Sequence, residues 1–127
     1  MYASGSKPSG GDTLHDIGNL TTSHFDAGDL TRDGAWHTLD LSSIVPAGVE
    51  LVRVKLTVTM VSTTDYFMLK NADFANDFNR IVANGNVVGD SSHARGLISC
   101  NSNREIKYKI KTGVTVAFLF IVGWVVK

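Results

Sequence analysis

The sequence predicts an all-β protein: an antiparallel β-sandwich or jelly roll of about seven or eight strands, preceded by an extended N-terminal arm. Three observations carry this reading. The chain ends on VTVAFLFIVGWVV, Val114 to Val126, rich in β-branched and aromatic residues. Leu51 to Val61 alternates strictly, with Val52, Val54, Leu56, Val58 and Met60 on one side and Arg53, Lys55, Thr57 and Thr59 on the other. That is the pattern of a half-buried antiparallel strand. The remaining apolar runs are short and separated by turn residues, with no helical period, heptad run or internal repeat.

The terminal run is too short for a membrane-spanning helix, which needs about 20 apolar residues, so no membrane insertion is expected. Both of its parities are apolar. Val114, Val116, Phe118, Phe120, Val122, Trp124 and Val126 form one set, and Ala117, Leu119, Ile121 and Val125 the other. A strand with one wet face alternates instead, so the second face is expected to be covered by the arm or by another subunit. Gly123 marks a bulge or a close backbone approach.

Residues 1–35 are rich in Gly, Ser, Asp and Thr and lack apolar period, which reads as an arm with Leu14, Ile17, Leu20, Phe25 and Leu30 as anchors. The packed domain is expected over residues 36–127. WHTLDL, from Trp36, is its first short strand; Pro46 and Gly48 then reverse the chain. After the long alternating strand and an STTD turn, Tyr66 to Lys70 forms a short strand. Arg80 to Ala83 is another, closed by the hairpin-favouring pair Asn84-Gly85, with Val87-Val88 starting the return. GDSSHARG reads as a polar loop, and Leu97 to Cys100 as a strand. Glu105 to Ile110 alternates, with Ile106, Tyr108 and Ile110 inward and Lys107, Lys109 and Lys111 outward.

The 127 residues suffice for one domain with a core, and 12 basic side chains balance 12 acidic ones. A neutral chain argues against a general nucleic-acid binder, which carries a basic surplus to meet phosphate. The lysine stripe, which Arg53 and Lys55 would join if their strands share a sheet, fits edge protection or an acidic protein partner. Cys100 is the lone cysteine and reads as a buried thiol. No basic-then-apolar leader opens the sequence, so the expectation is a chain folded in a reducing cytosol or a piece of something larger.

Catalytic patterns are weak. Val87-Val88-Gly89-Asp90-Ser91 resembles the nucleophile block of SGNH esterases and the serine block of trypsin-like proteases. The Asp-x-x-His that the first family needs downstream occurs only upstream, at Asp12 to His15, and His93 is too near Ser91 along the chain to complete a triad easily. A small hydrolase using Ser91 is therefore the remote alternative, and the chain is expected not to be an enzyme. His15, His24, His37 and His93 lack zinc spacing, and neither Asp26, Asp29 and Asp33 nor the Asn/Asp loop has EF-hand spacing, so no metal or cofactor is expected. That loop, with Asn71, Asp73, Phe74, Asn76, Asp77, Phe78 and Arg80, pairs aromatic rings with hydrogen-bonding side chains. The mixture suits stacking on a sugar ring while amides hold its hydroxyls; the competing reading is a turn whose phenylalanines tuck onto the core.

WHTLDLSSIVPAG, then YFMLKN, then SCNSNREIKYK, then the aromatic Gly-Trp ending resembles the small β-sandwich proteins of phage virion surfaces, of the capsid decoration or fibre-tip type. The resemblance runs from Trp36 onward and its motifs are structural. It implies a symmetric assembly, a trimer foremost, whose arm reaches a neighbour. The expectation is thus a structural assembly protein of the virion, self-associating and docking on a capsid or tail protein. Leu14, Ile17, Leu20, Phe25, Leu119, Ile121 and Val125 are its candidate oligomer contacts. A glycan-binding adhesion module is the alternative.

Overall fold

The computed structural model describes residues 13–18, 20–76, 80–84, 89 and 91–126. They form nine strands and no helix: β1 (Thr13–Asp16), β2 (Phe25–Asp26), β3 (His37–Asp40), β4 (Leu51–Met60), β5 (Tyr66–Asn71), β6 (Arg80–Asn84), β7 (Ser91–Ser99), β8 (Glu105–Ile110) and β9 (Val114–Val126). Two antiparallel sheets result. In sheet A, β1 and β2 share one edge of β9, followed by β4 and β7; sheet B runs β3-β8-β5-β6. The pairs are nested, β5 with β6, β4 with β7, β3 with β8 and β2 with β9, as in a long hairpin ribbon rolled up on itself.

The core lies between the sheets. Val52, Val54, Leu56, Val58 and Met60 of β4, Leu119 and Ile121 of β9, Phe67 and Leu69 of β5 and Ile106 and Ile110 of β8 are all essentially inaccessible to solvent. Each contributes about 1.5–3 kcal/mol of transfer free energy by leaving water. The β4–β9 pairing is interrupted twice. Thr59 faces Val116 but Met60 faces Val114, leaving Thr115 extra; Val54 faces Ile121 but Arg53 faces Gly123, leaving Val122 extra. Each bulge reverses which parity points inward. Val114 and Trp124 therefore join the core beside Ala117, Leu119 and Ile121, while Val116, Phe118 and Phe120 face outward. The two apolar parities of the sequence thus come partly from bulges and partly from a real outer stripe.

The described residues between 13 and 35 lie against the sheets of the same protomer. β1 pairs with the end of β9 and β2 with its middle. Leu30 is in the core, the Thr31 N–H donates to the Tyr108 hydroxyl (2.9 Å), Arg32 Nη1 donates to the Val114 carbonyl (2.8 Å) and the Gly34 N–H to the Ile110 carbonyl (2.8 Å). These are single anchors separated by polar residues, so no period announced them. Gly123 is needed where β1 pairs alongside: a Cβ there would strike the His15 carbonyl oxygen. Gly113 is needed likewise, because a Cβ would meet the carboxylate of buried Asp65, which accepts the Ser62 N–H (3.1 Å).

GDSSHARG differs most from its expected loop. From Ser91 it is strand, β7, continuous with Leu97 to Ser99. Its inward residues opposite Val58, Leu56 and Val54 are Ser92, Ala94 and Gly96, and the Ile81 side chain sits over Gly96. Larger side chains from β4 and β6 fill that space, so β7 needs no apolar alternation. The chain also passes from β6 in sheet B to β7 in sheet A rather than forming a hairpin between them. The turn expected at Asn84-Gly85 and the return at Val87-Val88 extend outside the described residues.

The inward and outward parities of β9 are separable in solution. Leu119→Ala should cost about 2–5 kcal/mol of unfolding free energy. Phe118→Ser should cost less than about 1 kcal/mol in a dilute protomer. Urea denaturation measures both, and equal losses would contradict the assigned register.

Candidate functional site

Sheet A's outer face is the most distinctive surface of the molecule. Its rows follow from the register. Asp26, Phe118, Thr57 and His93 lie side by side across β2, β9, β4 and β7. Phe120, Lys55 and Arg95 form the next row, and Asp16, Gly123, Arg53 and Leu97 another. Phe118 is 37% exposed and Leu97 52%. The Phe118 and Phe120 rings lie 6.5 Å apart and tilted, and Lys55 Nζ sits 5.5 Å from the Phe120 centroid. Beside them runs an open groove of about 240 Å³ bounded by Asp16, Leu20, Arg53, Arg95, Phe120 and Val122. Read across the strands, the face is acidic on β1 and β2, apolar on β9 and cationic on β4 and β7.

Of the expected oligomer contacts, only some reach this surface. Leu14 is exposed opposite half-buried Val125 at the open end of the sheet, and Leu20 lines the groove. Phe25 and Ile17 pack against the protomer's own core. Leu119 and Ile121 are a correction: fully buried between the sheets, they have no surface to offer a partner. The outward stripe is Val116, Phe118 and Phe120, whose polar neighbours on β4 could be assigned only once strand order was known.

The Asn/Asp loop spends its first polar groups on the fold. Asn71 is buried; its Nδ2 donates to Ser99 Oγ (2.9 Å) and its Oδ1 accepts the Asp73 N–H (2.9 Å). Asp73 Oδ1 in turn accepts from Asn101 Nδ2 (3.1 Å). Phe74 is half-buried over a shallow depression with Leu51, Arg80, Ile81 and Leu97. Asn76 and Arg80 are exposed and already partnered. Asp77, Phe78 and Asn79 lie outside the described residues. The structure brings Phe74 and Arg80 together, but Asn71 and Asp73 are committed to holding the loop on β7 and the β7–β8 turn.

Ser91 and His93 project from the same side of β7 but do not meet. Thr59 Oγ1 is 3.3 Å from Ser91 Oγ, and Thr57 Oγ1 is 3.0 Å from His93 Nδ1. Among the described residues, no group of three or more His, Cys, Asp or Glu side chains converges as a metal site would. The lysine stripe lies on sheet B, away from Arg53 and Lys55. Lys70 stands between Lys107 and Arg80 in the register, with its Nζ 4.3 Å from the Trp36 ring centroid; Lys109 Nζ is 5.6 Å from the same ring. Arg95, hidden in the expected polar loop, is what joins Arg53 and Lys55 instead.

His24 ties β2 to β9. Its backbone N–H donates to the Leu119 carbonyl (3.0 Å), and its Nδ1 accepts the Ile121 N–H (3.0 Å). That second bond needs a neutral imidazole protonated on Nε2. Burial lowers the His24 pKa below its ordinary 6.5. The unfolded chain therefore binds this proton more readily than the folded one. The stability contribution is whole above 6.5 and is lost as pH falls from there through the lowered folded value. An NMR titration should show the Ile121 amide shifting with a midpoint below 6.5; a midpoint at or above it would contradict the bond. No protein-family model matches this chain, and no curated protein matches it as a relative.

Proposed function

We propose that this protein is a non-enzymatic structural assembly protein, a phage virion component of the capsid decoration or minor structural type, which forms a symmetric homo-oligomer. The observation that carries this reading is the outer face of β9. A central strand facing water would place polar residues there; this one places Val116, Phe118 and Phe120, and β1 and β2 pair beside it in the plane of the sheet without crossing over it. Phe118 is 37% exposed and Phe120 half-buried, so covering each in a partner contributes only part of the about 1.5–3 kcal/mol that full burial brings, and some of that offsets the loss of translational freedom.

The nested strand pairing supports a jelly-roll wrapping, a fold that serves viral capsid and lectin domains. That is analogy at the level of fold, and the resemblance in the sequence adds the virion setting and threefold symmetry to it. Sheet A's outer face then meets copies of the chain, and the lysine-rich outer face of sheet B remains for a capsid or tail protein.

Size-exclusion chromatography with light scattering tests the reading. The expected mass is an integral multiple of the protomer, three foremost, at micromolar concentration. A Phe118→Lys, Phe120→Lys double variant should run as a folded monomer. A wild-type chain that stays monomeric up to hundreds of micromolar overturns the proposal.

A further inference from the structure

We infer that the partner on sheet A's outer face is a second copy of this chain, oriented so that the acidic β1/β2 edge of one copy lies against the cationic β4/β7 half of the next. The inference rests on the assembly reading and adds the orientation that the reading leaves open.

The charges of this face are separated and uncompensated. Asp16, Asp26 and Asp29 are exposed at the β1/β2 edge, while Arg53, Lys55 and Arg95 project from β4 and β7. Among the described residues, none of these six forms an ion pair; the one described bridge joins His37 to Asp33 elsewhere. Strands in a sheet stand about 4.8 Å apart, so the β2 edge and β7 are separated by about 14 Å, beyond the screening length of physiological salt. Asp26 and Arg95 are therefore out of each other's reach within one protomer, and Asp16 and Arg53, which flank Gly123 two strands apart, are not paired among the described residues either.

The cationic half is also costly as it stands. Lys55 and Arg95 are direct cross-strand partners, and like charges so placed repel. The acids, by contrast, are already oriented. Asp16 Oδ1 accepts the Gly18 N–H (2.8 Å), Asp26 Oδ1 the Gly28 N–H (2.8 Å) and Asp29 Oδ2 the Asp26 N–H (3.0 Å). One oxygen of each is held by its own turn, and the other takes no hydrogen bond among the described residues. Fixed carboxylates opposite guanidinium groups are the geometry in which charge-assisted pairs form. The apolar β9 stripe lies between the two bands, so docking buries the phenylalanines in the centre and closes the charges around them.

This layout selects among symmetries. A two-fold axis lying in the interface and perpendicular to the strands would set acid on acid and cation on cation. A two-fold parallel to the strands, or a head-to-tail ring, sets acid on cation and satisfies both bands at once.

Charge reversal tests the orientation in the full-length chain. Asp26→Lys with Asp29→Lys reverses one band, and Lys55→Glu with Arg95→Glu the other. Each pair alone should weaken association at least about tenfold by light scattering and sedimentation, and all four together should restore it to within about threefold of wild type. Circular dichroism checks that every variant is folded, and Lys55→Gln with Arg95→Gln provides a neutral version should the glutamates disturb the sheet. A monomeric wild type overturns the assembly reading and this inference with it. An oligomeric wild type whose reversed variants associate equally well overturns the inference alone, as does a quadruple variant that is folded but not restored. Loss of heparin binding with the oligomer intact would assign the cations to an anionic ligand, and that too overturns it.

Discussion

The pairing of β9 with β4 is the constraint on which the rest of the molecule depends. It is the central contact of sheet A, and its register decides which side of a nearly continuous apolar strand meets the core. Two single-residue bulges, at Thr115 and Val122, let thirteen successive residues deliver Val114, Ala117, Leu119, Ile121 and Trp124 inward despite their mixed parity. Without them the strand would run out of phase with β4 at both ends. Val52 would then lose its partner Trp124, which stacks on His15 of β1 at 4.7 Å and so fixes the sheet's edge.

The same register creates the outer face. Once Leu119 faces Leu56, Phe118 faces Thr57 and Phe120 faces Lys55, and both rings are set outward. Antiparallel order then puts β2, with its acids, on the far side of β9 from the cations of β4 and β7. The charge separation therefore follows from topology and not from any local run in the sequence, in which acids and bases balance. Sheet B shows the same segregation: Lys70, Lys107 and Lys109 share its outer face, and Trp36 is laid over two of their ammonium groups. Ring and ammonium attract there.

Much of the fold could be read from the residues. The all-β class, the long strand from Leu51, the alternation from Glu105 and the burial of the chain's end all follow from period and residue type. What could not be read has a physical cause in each case. β7 is invisible as a strand because Ser92, Ala94 and Gly96 leave the filling of their space to Ile81 and to the side chains of β4. β1 and β2 escape because edge segments of four and two residues make too few inward contacts to impose a period. Leu119 and Ile121 face the core and not a partner, because parity within one strand says that two faces exist but not which one the partner sheet takes. Asn71 looked like a ligand-holding amide, whereas its bond to Ser99 shows why Asn suits the end of a strand that must grip its neighbour.

Cys100 has a use of its own. It is 5% exposed, its Sγ donates to the Val49 carbonyl (3.3 Å), and burial raises its pKa above the ordinary thiol value. A thiol so placed is nearly inert toward alkylating reagents while the sandwich is closed. Being the chain's single cysteine, it turns the rate of labelling into a clock for how often the two sheets part.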